Sequence, residues 1–319
     1  MNRYFDAHCD TIWRCMNASE MGTEEGRYFA ASHDLRENGG HIDLLRGRYF
    51  DGYAQFFALY HDAAEAPGDG MWAQCRRMHD WFEKEMQQNR DLVRHCRSGA
   101  EVDSAVASGT VAALLSIEGA DLIDCDAQKI ATVADWGVRF LNPVWNRANV
   151  LSGTNCEEPE RGLSTEGRMF VRELEHRGIY ADVSHLSDAG FRDLLGMAQR
   201  PVVASHSNSR SLCPHPRNLT DDQFRAIRDS GGVVGMNFYS DFIGEKPTID
   251  DLLRHIEHFL SLDGEKTVCM GGDLDGCESL PREMQGVEDV PKLRQALERR
   301  GYPQELLEDI FWNNLRRLL

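Results

Sequence analysis

The chain lacks paired cysteine spacings, a long apolar run and any excess of positive charge. Its nine cysteines, an odd number, are scattered from Cys9 to Cys277 with no C-x-x-C pair. That spacing suggests neither a disulfide framework nor a thiolate zinc site, and it suits a reducing, cytoplasmic location. No stretch approaches the roughly 18 apolar residues needed to cross a bilayer, so no membrane partner is expected. The segment from Met1 to Asp10 is polar and carries a histidine, without the charged-then-apolar pattern of a secretion signal. Lys and Arg number 35 against 52 Asp and Glu, a net charge of −17. Nucleic acid is therefore not expected as a partner, because phosphate binding needs clustered cations. A site can still be locally positive inside an acidic protein, above all when metal ions dominate it.

What is present is the balance of a globular protein, 41% hydrophobic and 27% charged. The 319 residues fit one large α/β barrel, so a single domain spanning 1–319 is the simplest expectation. Short apolar or β-branched runs recur, each followed by a stretch with helical spacing, the alternation of a parallel sheet with crossover helices. Eight such runs are visible: Tyr4–Ala7, Tyr53–Leu59, Val111–Ile117, Val138–Asn142, Ile179–Val183, Pro201–Ala204, Val233–Phe238 and Val268–Gly271. Helices are expected over Met71–Asn89, Thr165–Arg177, Asp188–Ala198, Thr220–Ser230, Asp250–Leu260 and Val290–Arg299, with an amphipathic helix over Phe311–Leu319 at the end. Gly178 and Gly231 sit where two of these helices should stop. Glu157–Gly162 reads as an exposed acidic loop. The expected fold is a (β/α)8 TIM barrel of the metal-dependent hydrolase type.

In such a barrel the reactive groups stand at the C-terminal strand ends. Five of the eight runs end in metal-type side chains: the first in His8 and Asp10, the third in Glu118, the fifth in His185, the sixth in His206 and the eighth in Asp273. Each alone has a duller explanation. His8 and Asp10, two apart in extended chain, face one way and can grip one cation, yet a surface pair would look the same. A carboxylate such as Glu118 is costly to bury without a cation, but a loop glutamate facing water is ordinary. His185 and His206 follow small hydroxyl residues able to orient an imidazole. Asp273 and Asp275 lie in a glycine-rich turn, where aspartates commonly stabilise the backbone. His255 and His258, at helical spacing, read as a solvated or partly packed helix face. Convergence of five strand ends on one barrel mouth is harder to explain away. Three histidines and three carboxylates without a thiolate suit zinc, manganese or iron, and zinc is the expectation. Three groups per ion with one carboxylate shared describes a two-metal site whose bridging hydroxide is the nucleophile.

These stretches also resemble a known family over nearly the whole chain. Asp6-Ala-His-Cys-Asp-Thr, Gln55-Phe-Phe-Ala-Leu-Tyr, Ser116-Ile-Glu-Gly, Gly162-Leu-Ser-Thr, Asp182-Val-Ser-His-Leu-Ser, Ser205-His-Ser-Asn-Ser-Arg, His215-Pro-Arg-Asn, Gly231-Gly-Val-Val and Gly271-Gly-Asp-Leu-Asp-Gly are similar to motifs of the renal (membrane) dipeptidases, amidohydrolase-like zinc metallopeptidases. The resemblance implies two Zn2+ per chain, His8 and Asp10 on the first, His185 and His206 on the second, with Glu118 and a hydroxide bridging them. It implies Asp273 as the acid/base group, Arg217 as partner of the substrate's C-terminal carboxylate, for which a guanidinium fork is suited, and Tyr60 as a pocket contact. A small dipeptide, L–D dipeptides among the candidates, is the implied substrate, and a homodimer the implied assembly. One position departs from the pattern. Animal-type members carry a histidine after the fourth strand that steadies the tetrahedral intermediate, and here Trp145 followed by Asn146 stands in its place. An indole N–H donates one hydrogen bond but carries no charge, and the expectation is that Trp145 or Asn146 replaces that histidine in part.

The departure keeps a second reading in view, a binuclear hydrolase of another small amide or lactone. A reading from a different class, a binding protein that has lost its chemistry, is disfavoured because the five aligned ligands and Asp273 are all present.

Overall fold

The computed structural model describes residues 2–17 and 34–319; residues 18–33 of the expected 1–319 domain, and Met1, lie outside the described residues. Among the described residues nine strands form one parallel sheet: β1 (Arg3–Asp6), β2 (Gly52–Tyr60), β3 (Val93–His95), β4 (Val111–Glu118), β5 (Val138–Leu141), β6 (Tyr180–Ala181), β7 (Val203–Ala204), β8 (Val233–Met236) and β9 (Val268–Met270). Eight of them run in the order β6-β5-β4-β2-β1-β9-β8-β7. The two ends of that path meet through a single parallel bridge, Asp182 to Val203. The result is the expected α/β barrel, nearly closed. All eight apolar runs became strands, because parallel barrel strands are buried on both faces and read as almost continuous hydrophobic stretches.

β3 was not foreseen. It pairs with Val111–Ala113 at the start of β4, while β5 pairs with Leu115–Ile117 further along. Since β2 follows β4 from Ala112 to Glu118, β3 and β5 share the opposite edge. Three residues are too short a run to stand out from a loop.

Alternation along the strands separates two layers of core. Phe5, Ala54, Phe56, Ala112, Leu114, Phe140, Tyr180, Val203, Val233 and Cys269 form one cluster with Trp312, Leu315 and Leu318 of the C-terminal segment. These fill the barrel axis, and the C-terminal segment plugs its lower mouth: Trp312 lies 5.4 Å from Phe5, and Tyr180 Oη donates to the Leu318 carbonyl at 2.8 Å. Their neighbours in sequence, such as Tyr53, Phe57, Leu115 and Val234, pack outward against helices. The expected amphipathic helix at the C-terminus is instead a π-helical turn over Asp309–Asn313 followed by one α-turn over Asn314–Arg316.

The six foreseen helices are present with ends shifted by a few residues at most, among them Met71–Gln88, Thr165–His176 and Val290–Arg299. Thr11–Asn17, Gly99–Ala107 and Ile130–Asp135 are additional. Gly178 and Gly231 both take φ of 78°, the left-handed stop expected just past a helix end. Glu157–Glu160 are exposed, as the acidic-loop reading required.

Candidate metal centre

The inward face of each strand, carried past its last paired residue, delivers the site. On β4 the inward series Ala112, Leu114, Ser116 ends at Glu118, over the barrel axis. On β2 the series Ala54, Phe56, Ala58 ends at Tyr60, and on β8 it runs from Val233 through Gly235 to Asn237. His8, His185, His206 and Asp273 follow β1, β6, β7 and β9 within a few residues.

Glu118 Oε1 is the meeting point. It lies 3.6 Å from His8 Nε2, 2.8 Å from His185 Nε2 and 3.4 Å from His206 Nε2. His8 Nε2 is also 3.4 Å from Asp10 Oδ2 and 3.8 Å from Asp273 Oδ1. Two triads therefore offer ligand atoms within 4.8 Å of one another: His8, Glu118 and His206, and His8, Asp10 and Asp273. All are buried. A cleft of about 460 Å³ opens above them, lined by nine of the ten foreseen site residues, with His8 beneath.

The electrostatics call for positive charge. Burial opposes a charge on His8, but the carboxylates of Glu118, Asp10 and Asp273 outweigh it and push its pKa up to about 10. Burial, reinforced by the Asp10 charge, raises Glu118 well above the usual carboxylate range and lifts Asp273 to about 6 against the pull of His8. His185 and His206 go the other way: burial first, then Arg217 and His8, hold them neutral, well below the ordinary histidine value.

The remaining foreseen residues sit around this cluster. Asn146 Oδ1 is 3.0 Å from His185 Nδ1, so it touches a ring of the cluster. The Trp145 ring packs 4.9 Å from Tyr60 and 6.3 Å from His185. Tyr60 keeps its proton, because burial and the charges of Glu118 and Asp10 raise its pKa. Arg217 is 4% exposed; its Nη2 donates to His185 Nε2 at 3.0 Å, while Nη1 is buried without a hydrogen-bond partner. Asp275 follows its turn-stabilising reading: its carboxylate accepts from Thr11 Oγ1 and the His41 N–H, both at 2.6 Å. His258 pairs with Asp221 on a partly buried face, but His255 is 1% exposed, accepting from the Ser209 N–H with Nδ1 and placing Nε2 3.1 Å from the Ile243 carbonyl. Of the two alternatives, solvated or partly packed, His255 follows the packed one and goes further, because the loop after β7 covers that side of the helix.

Two residues escaped sequence reasoning. Asn237 Nδ2 donates to Asp273 Oδ2 at 2.9 Å, and extending the inward period of β8 by one step would have found it. Gly276 lies where an added Cβ would stand 2.1 Å from Asp10 Oδ2 and 2.4 Å from Asp273 Oδ1. Its backbone is outside the left-handed region, so the requirement is for space.

The chain is similar to known proteins over nearly its whole length. The family model described as Membrane dipeptidase (Peptidase family M19) matches residues 2–319. A metallo peptidase from Rhodobacter sphaeroides, solved with a phosphinate mimic of the dipeptide L-Ala-D-Ala, superposes with a TM-score of 0.85 at 30% identity, covering 99% of this chain and 98% of its own. A Klebsiella pneumoniae protein named for its place in the pqqA 5' region is 37% identical over 71% of this chain and 88% of its own length. Dipeptidase aclJ of Aspergillus oryzae is 29% identical over 92% and 72%. Despite the family's name, no helix among the described residues is long and apolar enough to cross a membrane. With a family match spanning nearly every residue, the chain belongs to peptidase family M19 and is a metallo-dipeptidase.

Proposed function

We propose that the chain hydrolyses dipeptides with two zinc ions held in this cluster, His8 and Asp10 on one, His185 and His206 on the other, and Glu118 shared. The observation that carries the reading is the approach of three imidazole nitrogens to Glu118 Oε1. The residues fit the ions. His8 Nε2 and Asp10 Oδ1 are buried with no hydrogen-bond partner, and such groups are expensive unless something pairs with them. His185 Nε2 and His206 Nε2 face each other at 3.0 Å although both rings are neutral. A cation beside them relieves that opposition of lone pairs. Gly276 keeps the space between Asp10 and Asp273 free of a side chain. Nitrogen and oxygen donors without thiolate suit zinc.

Zinc bound here supplies Lewis acidity at the scissile carbonyl and brings the pKa of a water down to about 7. The chain's own groups do the rest. Asn237 holds Asp273 by Oδ2, leaving Oδ1 turned toward His8. From there Asp273 takes a proton from the attacking water and delivers it to the leaving amine. Arg217, with Nη1 unpaired, receives the substrate's C-terminal carboxylate. Tyr60 donates from its retained hydroxyl proton. Asn146 meets His185 through Oδ1, an acceptor, so the Trp145 indole N–H and the Asn146 amide N–H are the neutral donors offered to the tetrahedral oxyanion. L–D dipeptides fall within the proposed range, as the Rhodobacter relative's bound mimic supports. A homodimer in the cytoplasm completes the proposal.

Metal analysis of protein purified without chelator is expected to give about two equivalents of zinc, and a screen of L–L and L–D dipeptides to show cleavage by the zinc-loaded form alone. Less than one equivalent of tightly held transition metal would overturn the reading. Trp145 favours one rival, a hydrolase of other small amides or lactones. That rival gains if Arg217→Met abolishes dipeptide cleavage yet leaves a neutral amide or lactone substrate untouched.

A further inference from the structure

The barrel is thinly paired where two of these histidines stand. β6 and β7 are two residues each, and among the described residues only the Asp182 to Val203 bridge, with Val183 N–H donating to the Val203 carbonyl at 2.8 Å, closes the sheet between them. By contrast β2 and β4 pair over seven consecutive positions. His185 follows β6 and His206 follows β7, so the two rings face each other across this seam.

One buried carboxylate outside the cluster ties the seam together. Asp182, 1% exposed, accepts at Oδ1 from the Ser184 N–H (3.0 Å), the Ser184 hydroxyl (2.8 Å) and the Ser205 N–H (3.0 Å). The first two donors belong to the loop after β6 and the third to the loop after β7. The same contacts orient His206. With its proton given to Asp182, Ser184 Oγ is an acceptor for its other neighbours, the His206 N–H at 3.1 Å and the Ser205 hydroxyl at 3.3 Å. Ser205 Oγ, its own proton committed, then accepts from His206 Nδ1 at 2.7 Å. That direction of donation leaves His206 Nε2 as a lone pair aimed at Glu118 and His185, the tautomer a metal ligand needs.

We infer that Asp182 is the positioning residue of the His185/His206 half of the site: acting through Ser184 and Ser205, its carboxylate sets the His206 ring and clamps the seam on which both histidines stand. This rests on the two-metal reading for its metal arm. The clamp arm is independent of it.

The test uses the full chain as wild type, Asp182→Asn, Ser205→Ala and Ser205→Thr. Zinc equivalents and chelator competition measure the metal, and hydrogen exchange measures the seam. Ser205→Ala is expected to weaken one of the two zinc equivalents by roughly 10–100-fold and to leave the other unchanged, and Ser205→Thr to restore it. Asp182→Asn is expected to add faster exchange confined to residues 183–186 and 203–207. Unchanged zinc affinity in Ser205→Ala, or equal weakening of both equivalents, overturns the positioning role. Unchanged exchange in Asp182→Asn overturns the clamp, and if that variant does not fold, Ser205→Ala still decides the role of the link. Should wild type bind no zinc, the function reading fails, while exchange in Asp182→Asn still decides the clamp.

Discussion

At Gly276 and Trp145 a single side chain decides what the cleft can do. A methyl group at Gly276 would enter the space between Asp10 and Asp273. Alanine is compatible with the backbone there, since the φ is not left-handed, so the damage falls on the site and not on the turn. Gly276→Ala is expected to lose at least one zinc equivalent and most activity while the chelated protein melts within about 0.5 kcal/mol of wild type, the usual range for a neutral substitution. Metal analysis and thermal melts of chelated samples check this, and full zinc content would contradict it. Trp145→Phe keeps an aromatic ring against Tyr60 and removes the N–H. If the indole donates to the oxyanion, kcat falls by roughly 10²–10³, the effect of one lost donor of about 3–4 kcal/mol, with little change in KM. An unchanged kcat/KM on every dipeptide would assign the ring to packing alone.

The elements around the cleft are tied at their bases. The loop that presents Arg217 is closed by a bridge between Ser209 and Leu219, with Arg210 N–H donating to the Leu219 carbonyl and Leu219 N–H to that of Asn208, both at 2.8 Å. It runs straight into the helix Asp221–Asp229, whose capping box joins Thr220 Oγ1 to the Gln223 N–H at 3.2 Å and Gln223 Oε1 to the Thr220 N–H at 2.8 Å. Gln223 also donates to Asp188, which holds Arg210 by two hydrogen bonds. Thr220→Ala should therefore cost about 1 kcal/mol, seen as a lower urea midpoint at unchanged slope. A change in slope would mean that more than the cap had been lost. The turn after β9 is tied similarly. Asp273 and Asp275 take φ of 55° and 67°, a region that short polar side chains tolerate best, and Asp275 is fastened to Thr11 and His41. Of two aspartates in one glycine-rich turn, one holds the turn and the other faces the cleft. Their types and spacing alone do not say which.

On the scale of the whole molecule, the acids and histidines converge from strands that enclose a single axis, so zinc should stabilise the fold and not only the site. At free zinc of about 100 times Kd the gain is about 2.7 kcal/mol, measurable as a rise in melting temperature over chelated protein. No shift on adding zinc would count against ligation by the folded state. The sequence by itself determined which segments become strands and which side chains carry the chemistry. Both are short-range properties: an apolar run buried on two faces, and a His, Asp or Glu just past its end. Only the tertiary structure decided how those ends meet. Closure of the barrel through one bridge at Asp182, the pairing of Asn146 with His185 and of Asn237 with Asp273, and the burial of His255 all join residues more than twenty positions apart. Such contacts depend on where the closed sheet places each loop, and a local pattern can give a residue's face but not its partner.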